Sequence, residues 1–162
     1  MGFPITPLNT PNKTTNFYPA DNLWEAVLLP IKESIAFEQG TALAWEVSGS
    51  TTTGKLIKMP TTNTTGQNFA GIMCEPVATS DPDYATAFKQ KLVWVPKSPD
   101  AQANFTVGSG TFTTIRVGRQ VQFFSNSTSL AVDTNGLGAE ITGFVSSTRG
   151  VCKFNVARAV TA

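Results

Sequence analysis

Six carboxylates stand where paired acid–base chemistry could be assembled: Glu25, Glu33, Glu38 and Glu46 early in the chain, then Asp81 and Asp83. Two such groups flanking a sugar linkage hydrolyse it, one as acid and the other as base or nucleophile. No spacing among the six selects a pair. Asp81 and Asp83 form an Asp-x-Asp, which some glycosyl-transferring enzymes use to hold a metal. Ser80-Asp81-Pro82 is also how a short helix or turn begins, with a capping side chain ahead of proline. The chain has no histidine. The commonest general base, the commonest metal ligand and every Ser-His or Cys-His nucleophile pair are therefore missing. Cys74 and Cys152 are far apart and neither has metal-ligand spacing. Each lies in an apolar run, FAGIMC and GVCKFNV, which predicts two buried, reduced thiols behaving as small hydrophobes. A bridge between them is the alternative if the chain is exported. Trp24, Trp45 and Trp94 could stack on sugar rings, although aromatic side chains on strands more often form core. No catalytic residue, metal ligand or cofactor is assigned, and the expectation is a protein that is not an enzyme.

Composition narrows the function further. A chain of 162 residues suits one domain with a real core. A net charge of +1 gives no electrostatic footprint for nucleic acid or an anionic membrane. Charged residues make up 14%, against about a quarter in an average globular domain, and Thr, Ser, Asn, Gly and Pro fill the gap. A polar, weakly charged surface suits β-rich proteins working within an assembly or outside a cell. The N-terminus has no basic start, apolar core or small-residue cleavage site, so synthesis in a cytoplasm without an export signal is expected. The most apolar stretch, residues 23–31, is broken by Glu25 and Pro30 and is too short to span a bilayer.

The elements that would position these residues are short. Residues 1–22 carry Pro4, Pro7, Pro11 and Pro19, which exclude helix and central strand and predict an extended arm. Phe3, Ile5, Leu8, Phe17 and Tyr18 recur along it. Such an arm can order in the grooves of a partner or pack across its own domain. Residues 23–162 read as a single β-rich domain. Leu23–Leu29 fits a short helix or a buried strand. Strands are predicted at 34–38, 42–47, 55–59, 69–74, 89–95, 103–107, 111–117, 120–124, 129–132, 139–145 and 150–156, with one or two short helices at most, the candidate lying at 78–88. The fold class is all-β, a small barrel or sandwich.

The two halves of the domain align loosely with each other, as a genuine repeat or through the chance resemblance of short strands with glycine turns. Gly40, Leu43 and Trp45 answer to Gly118, Val121 and Phe123. Leu56 and Ile57 answer to Leu130 and Val132, and Phe69-Ala70-Gly71-Ile72 answers to Ile141-Thr142-Gly143-Phe144. Glycine inside a strand marks a bulge, a sharp bend or a close backbone approach. Gly40, Gly71, Gly118 and Gly143 are therefore the predicted structural glycines of an internal repeat.

The succession EQGTALAW, GKLIK, NFAGIMCEPVA, KLVWV, VGRQVQF and GAEITGFV, across about residues 34–156, resembles tailed-bacteriophage capsid decoration (cement) proteins. The resemblance implies a small β-barrel on the outer capsid surface of a virion, synthesised in the host cytoplasm. It implies the major capsid protein and neighbouring copies, in a homotrimer, as partners. It further implies an arm that reaches them, with Phe3, Pro4, Ile5, Leu8, Phe17 and Tyr18 as contact residues. The 23–31 stretch and the long proline-rich arm are more elaborate than in the smallest members. A head-fibre base or glycan-binding surface module is the first alternative, and a glycan-acting enzyme the second.

Overall fold

Short segments of alternating apolar and polar side chains bury one face only by pairing edge to edge. The computed structural model describes residues 16–61 and 69–154, and among them eleven strands form. They are β1 (Tyr18–Pro19), β2 (Trp24–Pro30), β3 (Ala42–Ser48), β4 (Thr51–Lys58), β5 (Phe69–Met73), β6 (Gln90–Pro96), β7 (Gln102–Ser109), β8 (Gln120–Phe124), β9 (Ser129–Asn135), β10 (Ala139–Ser146) and β11 (Arg149–Phe154). The architecture is all-β in two sheets, ordered β1-β7-β11-β10-β8-β9 and β2-β6-β5-β3-β4. The first closes into a ring, because β9 returns beside β7 in parallel, with Val107 opposite Leu130. β1 takes the remaining part of that β7 edge, Tyr18 opposite Asn104 and Pro19 opposite Ala103. In the second sheet a parallel bridge from Ile31 to Leu56 joins the end of β2 to β4. Among the described residues no helix is long and apolar enough to cross a membrane.

Setting β1 aside, the two sheets have one topology: β2-β6-β5-β3-β4 matches β7-β11-β10-β8-β9 strand for strand. Registers match too. The Ile31–Leu56 contact answers Val107–Leu130, and Trp45–Leu56 answers Phe123–Leu130. Leu43–Gly71 answers Val121–Ala139, and Met73–Val93 answers Ile141–Cys152. Gly40 N–H donates to the Met73 carbonyl and Met73 N–H to that of Thr41; Gly118 and Ile141 repeat the pattern with Arg119. Gly40 and Gly118 share a left-handed turn, with φ of +86° and +93°. The repeat read from the sequence is thus present in the structure, with β3, β4 and β5 answering β8, β9 and β10.

Its register in the third strand differs from the sequence alignment, since Gly71 answers Ala139 and not Gly143. The two glycines serve different ends. A Cβ at Gly71 would stand 2.5 Å from the Trp94 carbonyl oxygen and 2.6 Å from Val93 Cγ1, so only glycine lets β5 and β6 approach. At Gly143 the nearest atom, Val151 Cβ, is 3.5 Å away, an ordinary contact. Both glycines adjoin an extra residue in the ladder, Ala70 against β3 and Thr142 against β11.

The interiors correspond as well. Leu43, Leu56, Met73 and Val93 fill the first unit at the positions that Val121, Leu130, Ile141 and Cys152 hold in the second. The outward residues of the first unit's sheet, Ala42, Ala44, Ile72 and Trp94, are also buried, in one cluster with the second unit. β5 is therefore buried at every position and shows no alternation. The seam is aromatic. Phe69 stacks on Phe154 with centroids 4.1 Å apart, and Phe123 lies parallel to Phe154 at 6.0 Å. Trp24 meets Phe69 and Phe154 edge-on, and Phe17 meets Phe123 and Phe154 at 5.7 and 5.2 Å.

Several elements differ from their sequence reading. Residues 23–29, left open between helix and strand, contribute to β2. Residues 34–38 make only the bridge Phe37–Val77, because Ser34 turns left-handed at φ 57°. Residues 111–117 form a 3-10 turn at Thr114–Arg116 in place of a strand. Phe112 is buried there while Arg116 turns back to the Thr111 carbonyl and pairs with Asp133. Residues 78–88 form successive turns and no helix: the Asp81 carboxylate accepts from Ala78 N–H at 2.9 Å, and Asp83 pairs with Lys91 at 3.3 Å. Phe17–Ala20, placed in the arm, pack as part of the domain.

Gly71→Ala should cost about 2 kcal/mol or more through the clash with β6, whereas Gly143→Ala should stay within about 1 kcal/mol. Urea denaturation of the two variants checks this, and equal losses would remove the distinction between the glycines.

Candidate functional site

The fold brings together two carboxylates that sequence spacing did not select. Lys32, just after β2, reaches Glu46 on β3 at 3.0 Å, and Lys55 on β4 reaches Glu33 at 2.9 Å. Thr53 donates to Glu46 at 2.7 Å, and the Lys55 ammonium lies 4.6 Å above the Phe88 ring. The Thr53 hydroxyl and then Lys32 hold the Glu46 carboxyl below its usual range. Lys55 does the same for Glu33, and the bond to Glu46 holds the Lys32 ammonium above its usual range. A glycosidase acid needs the reverse, a carboxyl kept protonated near neutrality. What this cluster does physically is clasp the join of β2 to β4, where Lys32 N–H also donates to the Leu56 carbonyl at 2.9 Å.

The remaining candidates are dispersed. Glu25 and Glu38 are exposed. Asp81 and Asp83 are used in the turn described above. Trp24 and Trp94 are buried in the seam, with Trp24 Nε1–H donating to the Gln102 carbonyl at 2.8 Å, and Trp45 packs on the first unit's interior. Cys74 and Cys152 are free thiols in the core. Burial first and the Glu75 charge second push the Cys74 thiol up to about 12, and burial pushes Cys152 up as well.

Two surface features follow from the repeat. The first is the root of the N-terminal segment. Phe17 N–H donates to the Gly40 carbonyl at 3.2 Å, Asn16 Nδ2 to the Gln39 carbonyl at 2.5 Å and Ala20 N–H to the Gln102 carbonyl at 2.9 Å. Asp21 accepts from Gln102 N–H at 3.0 Å. Phe17, expected on a partner-facing surface, is instead wholly buried, and Tyr18 is half-buried with its ring edge-on to Trp94 at 6.0 Å. Phe3, Pro4, Ile5 and Leu8 lie outside the described residues. A groove of about 560 Å³ opens at this root, lined by Asn16, Phe37, Gln39, Lys58, Val77 and Asn126 among others.

The second feature is a set of exposed apolar side chains on the second unit. Ile115 is 75% and Val145 57% exposed, with Phe144 and Val117 beside them in sequence also exposed. Their equivalents in the first unit are Phe37 and Val77, which bridge each other and are buried. The connections explain the contrast. In the first unit the chain from β5 to β6 is long and lays Val77 against Phe37; in the second, β10 and β11 are joined by a two-residue turn, Ser147-Thr148. Sequence reading missed these side chains, and the only signal was the apolar pair Phe144-Val145 running through both faces of a strand. Comparison with protein-family models, curated proteins and solved structures returns no significant match.

Glu33 and Glu46 have folded-state pKa values below their unfolded ones. Their contribution is present above the ordinary carboxylate range and is lost as pH falls through the folded values; that of Lys32, raised, is lost only as pH rises through its folded value. The melting temperature should fall on acidification from about pH 6 to 3, and fall less for Glu46→Gln. Equal slopes would show that the clasp adds nothing. Both thiols should resist a thiol reagent in native protein at neutral pH and react once urea unfolds it, and reductant should leave the melting temperature unchanged.

Proposed function

We propose that this chain is a structural virion protein that binds the outer surface of a bacteriophage capsid and stabilises the shell. Its partners are the major capsid protein and neighbouring copies of itself in a homotrimer. In this reading each closed sheet is a small β-barrel, the protein is made in the host cytoplasm, and its work is binding without turnover or cofactor. The observation that supports it most is the fixed root of the N-terminal segment. Phe17 sits in the seam and β1 on the β7 edge, so residues 1–15, with Phe3, Pro4, Ile5 and Leu8, depart from a rigid point. A tether held at its root loses only its own ordering entropy on engagement. The exposed apolar side chains of Ile115 and Val145 supply a second contact surface. A subunit that binds only the mature shell favours that shell by its binding free energy, over many copies. The glycan-binding reading rested on Trp24, Trp45 and Trp94, of which Trp24 and Trp94 are buried in the seam and Trp45 is half-buried.

Co-sedimentation with capsids stripped of this protein should show saturable binding at a fixed ratio to the capsid subunit. Removing residues 1–15, which leaves Phe17 in place, should weaken attachment by ~10-fold or more while the domain still melts cooperatively. A folded protein that binds no shell would sink the proposal.

A further inference from the structure

Where the two units meet, the second sends a plug into the first. The turn between β8 and β9 reaches the start of β3, where Ala42 N–H donates to the Ser127 carbonyl at 2.8 Å and the Ser127 hydroxyl donates to the Met59 carbonyl. Met59 N–H in turn donates to the Ala42 carbonyl at 2.9 Å, which fixes the socket. Ser127 is wholly buried there, while Ser125 and Asn126 beside it are exposed. All three are left-handed, with φ of 32°, 53° and 59°. Non-glycine residues hold that conformation in succession only where the surrounding contacts over-determine it.

The repeat supplies plug and socket a second time. Gly40, Thr41, Ala42 and Met59 correspond to Gly118, Arg119, Gln120 and Gly136, and Gly136 N–H donates to the Gln120 carbonyl at 3.2 Å as Met59 does to Ala42. At that place on the second unit lies an open hollow of about 540 Å³, lined by Gln120, Asn135, Gly136 and Leu137. The counterpart of the plug is the β3–β4 hairpin, whose residues 47–52 are all exposed, with a left-handed turn at Gly49 of φ 67°. Ten residues separate Trp45 from Leu56 and six separate Phe123 from Leu130, so this hairpin stands about 7 Å further out from its sheet. We propose that the β3–β4 hairpin of one copy seats in the Gln120–Leu137 hollow of a second copy, repeating between chains the junction that Ser127 makes within one. Ser48 and Ser50 bring hydroxyls to it. Residues 47–52 and the residues lining the hollow are uncharged, so joining them strips water from no charge. A plug on one unit and a socket on the other make the contact heterologous: each copy gives and receives, and the series closes as a ring, of which three copies are the homotrimer. This deepens the reading of neighbouring copies as partners and rests on it, without involving the capsid contact.

Disulfide trapping on the full-length free protein tests it. Ser50→Cys and Asn135→Cys are placed on separate copies, since both sites are exposed and the native thiols are buried. Mixed at high concentration under mild oxidation, the two variants should give a covalent dimer containing one of each, at least ~10-fold faster than either variant links to itself. Gln120→Arg added to the Asn135→Cys copy fills the hollow and should slow trapping by at least ~10-fold while the melting temperature holds. Self-linking of either variant as fast as in the mixture, or trapping indifferent to Gln120→Arg, would overturn the proposal. So would the lack of any trapping, and light scattering on the native protein then separates the two readings. An oligomer would keep neighbouring copies as partners through another surface, and a monomer would overturn that reading as well.

Discussion

Phe154 is the residue on which the rest of the structure depends. Each five-stranded unit has an apolar interior of its own, and the seam between them holds a set of rings: Phe69 from the first, Phe123 and Phe154 from the second, with Trp24 and Phe17 at the edges. Offset-stacked and edge-on rings gain from their quadrupoles beyond area burial. Removing a buried phenylalanine costs about 3–5 kcal/mol, a large share of a small domain's stability. Ala42, Ala44 and Trp94 are buried in the same cluster as these rings. Because Phe17 belongs to the same stack, the segment leading to the N-terminus is rooted where the two units meet.

The repeat shows which features are architecture and which are particular to one half. Strand order, register and the left-handed glycine before the second strand of each unit occur twice, and the parallel β7–β9 pairing that closes one sheet is echoed in the other by the single Ile31–Leu56 bridge. The exceptions are where surface is left over. The connection between β5 and β6 covers Phe37 and Val77, and the short turn between β10 and β11 leaves Ile115 and Val145 open. β1 covers the edge of β7, and no described strand covers the matching edge of β2. Apolar groups left exposed by a missing counterpart are places for a partner or for the chain's own ends.

Much of the fold was legible because period-two alternation is a local property. β3, β6, β7, β8, β9, β10 and β11 lie where alternation placed strands, β4 does so only from Lys55 onward, and Gly40 and Gly118 were matched correctly. Where the reading failed, a distant contact intervened. Thr111–Val117 alternates well enough for a strand, but Arg116 is drawn to Asp133 on β9 and Phe112 to the core. Gly71 and Gly143 looked equivalent because both interrupt an apolar run. Register is set instead by the bonds of Met73 and Ile141 to the turns at Gly40 and Gly118, and glycine itself carries no register. Asp81 was read correctly as turn chemistry, since a capping carboxylate acts within three residues, whereas the Asp83 carboxylate pairs with Lys91 on β6.

The sequence by itself determined an all-β chain with a two-fold internal repeat, two apolar cysteine sites, and a weakly charged surface without histidine chemistry. Tertiary structure alone decided that Phe17 is core and not arm, and that Glu33 and Glu46 meet Lys55 and Lys32 and stay ionised. It also decided that, among the described residues, Ile115, Val145 and Leu28 are exposed. The physical reason is the range of the forces involved. Alternation and turn chemistry are decided by neighbours along the chain, whereas an open edge or an exposed apolar end exists only once every other strand has found its partner.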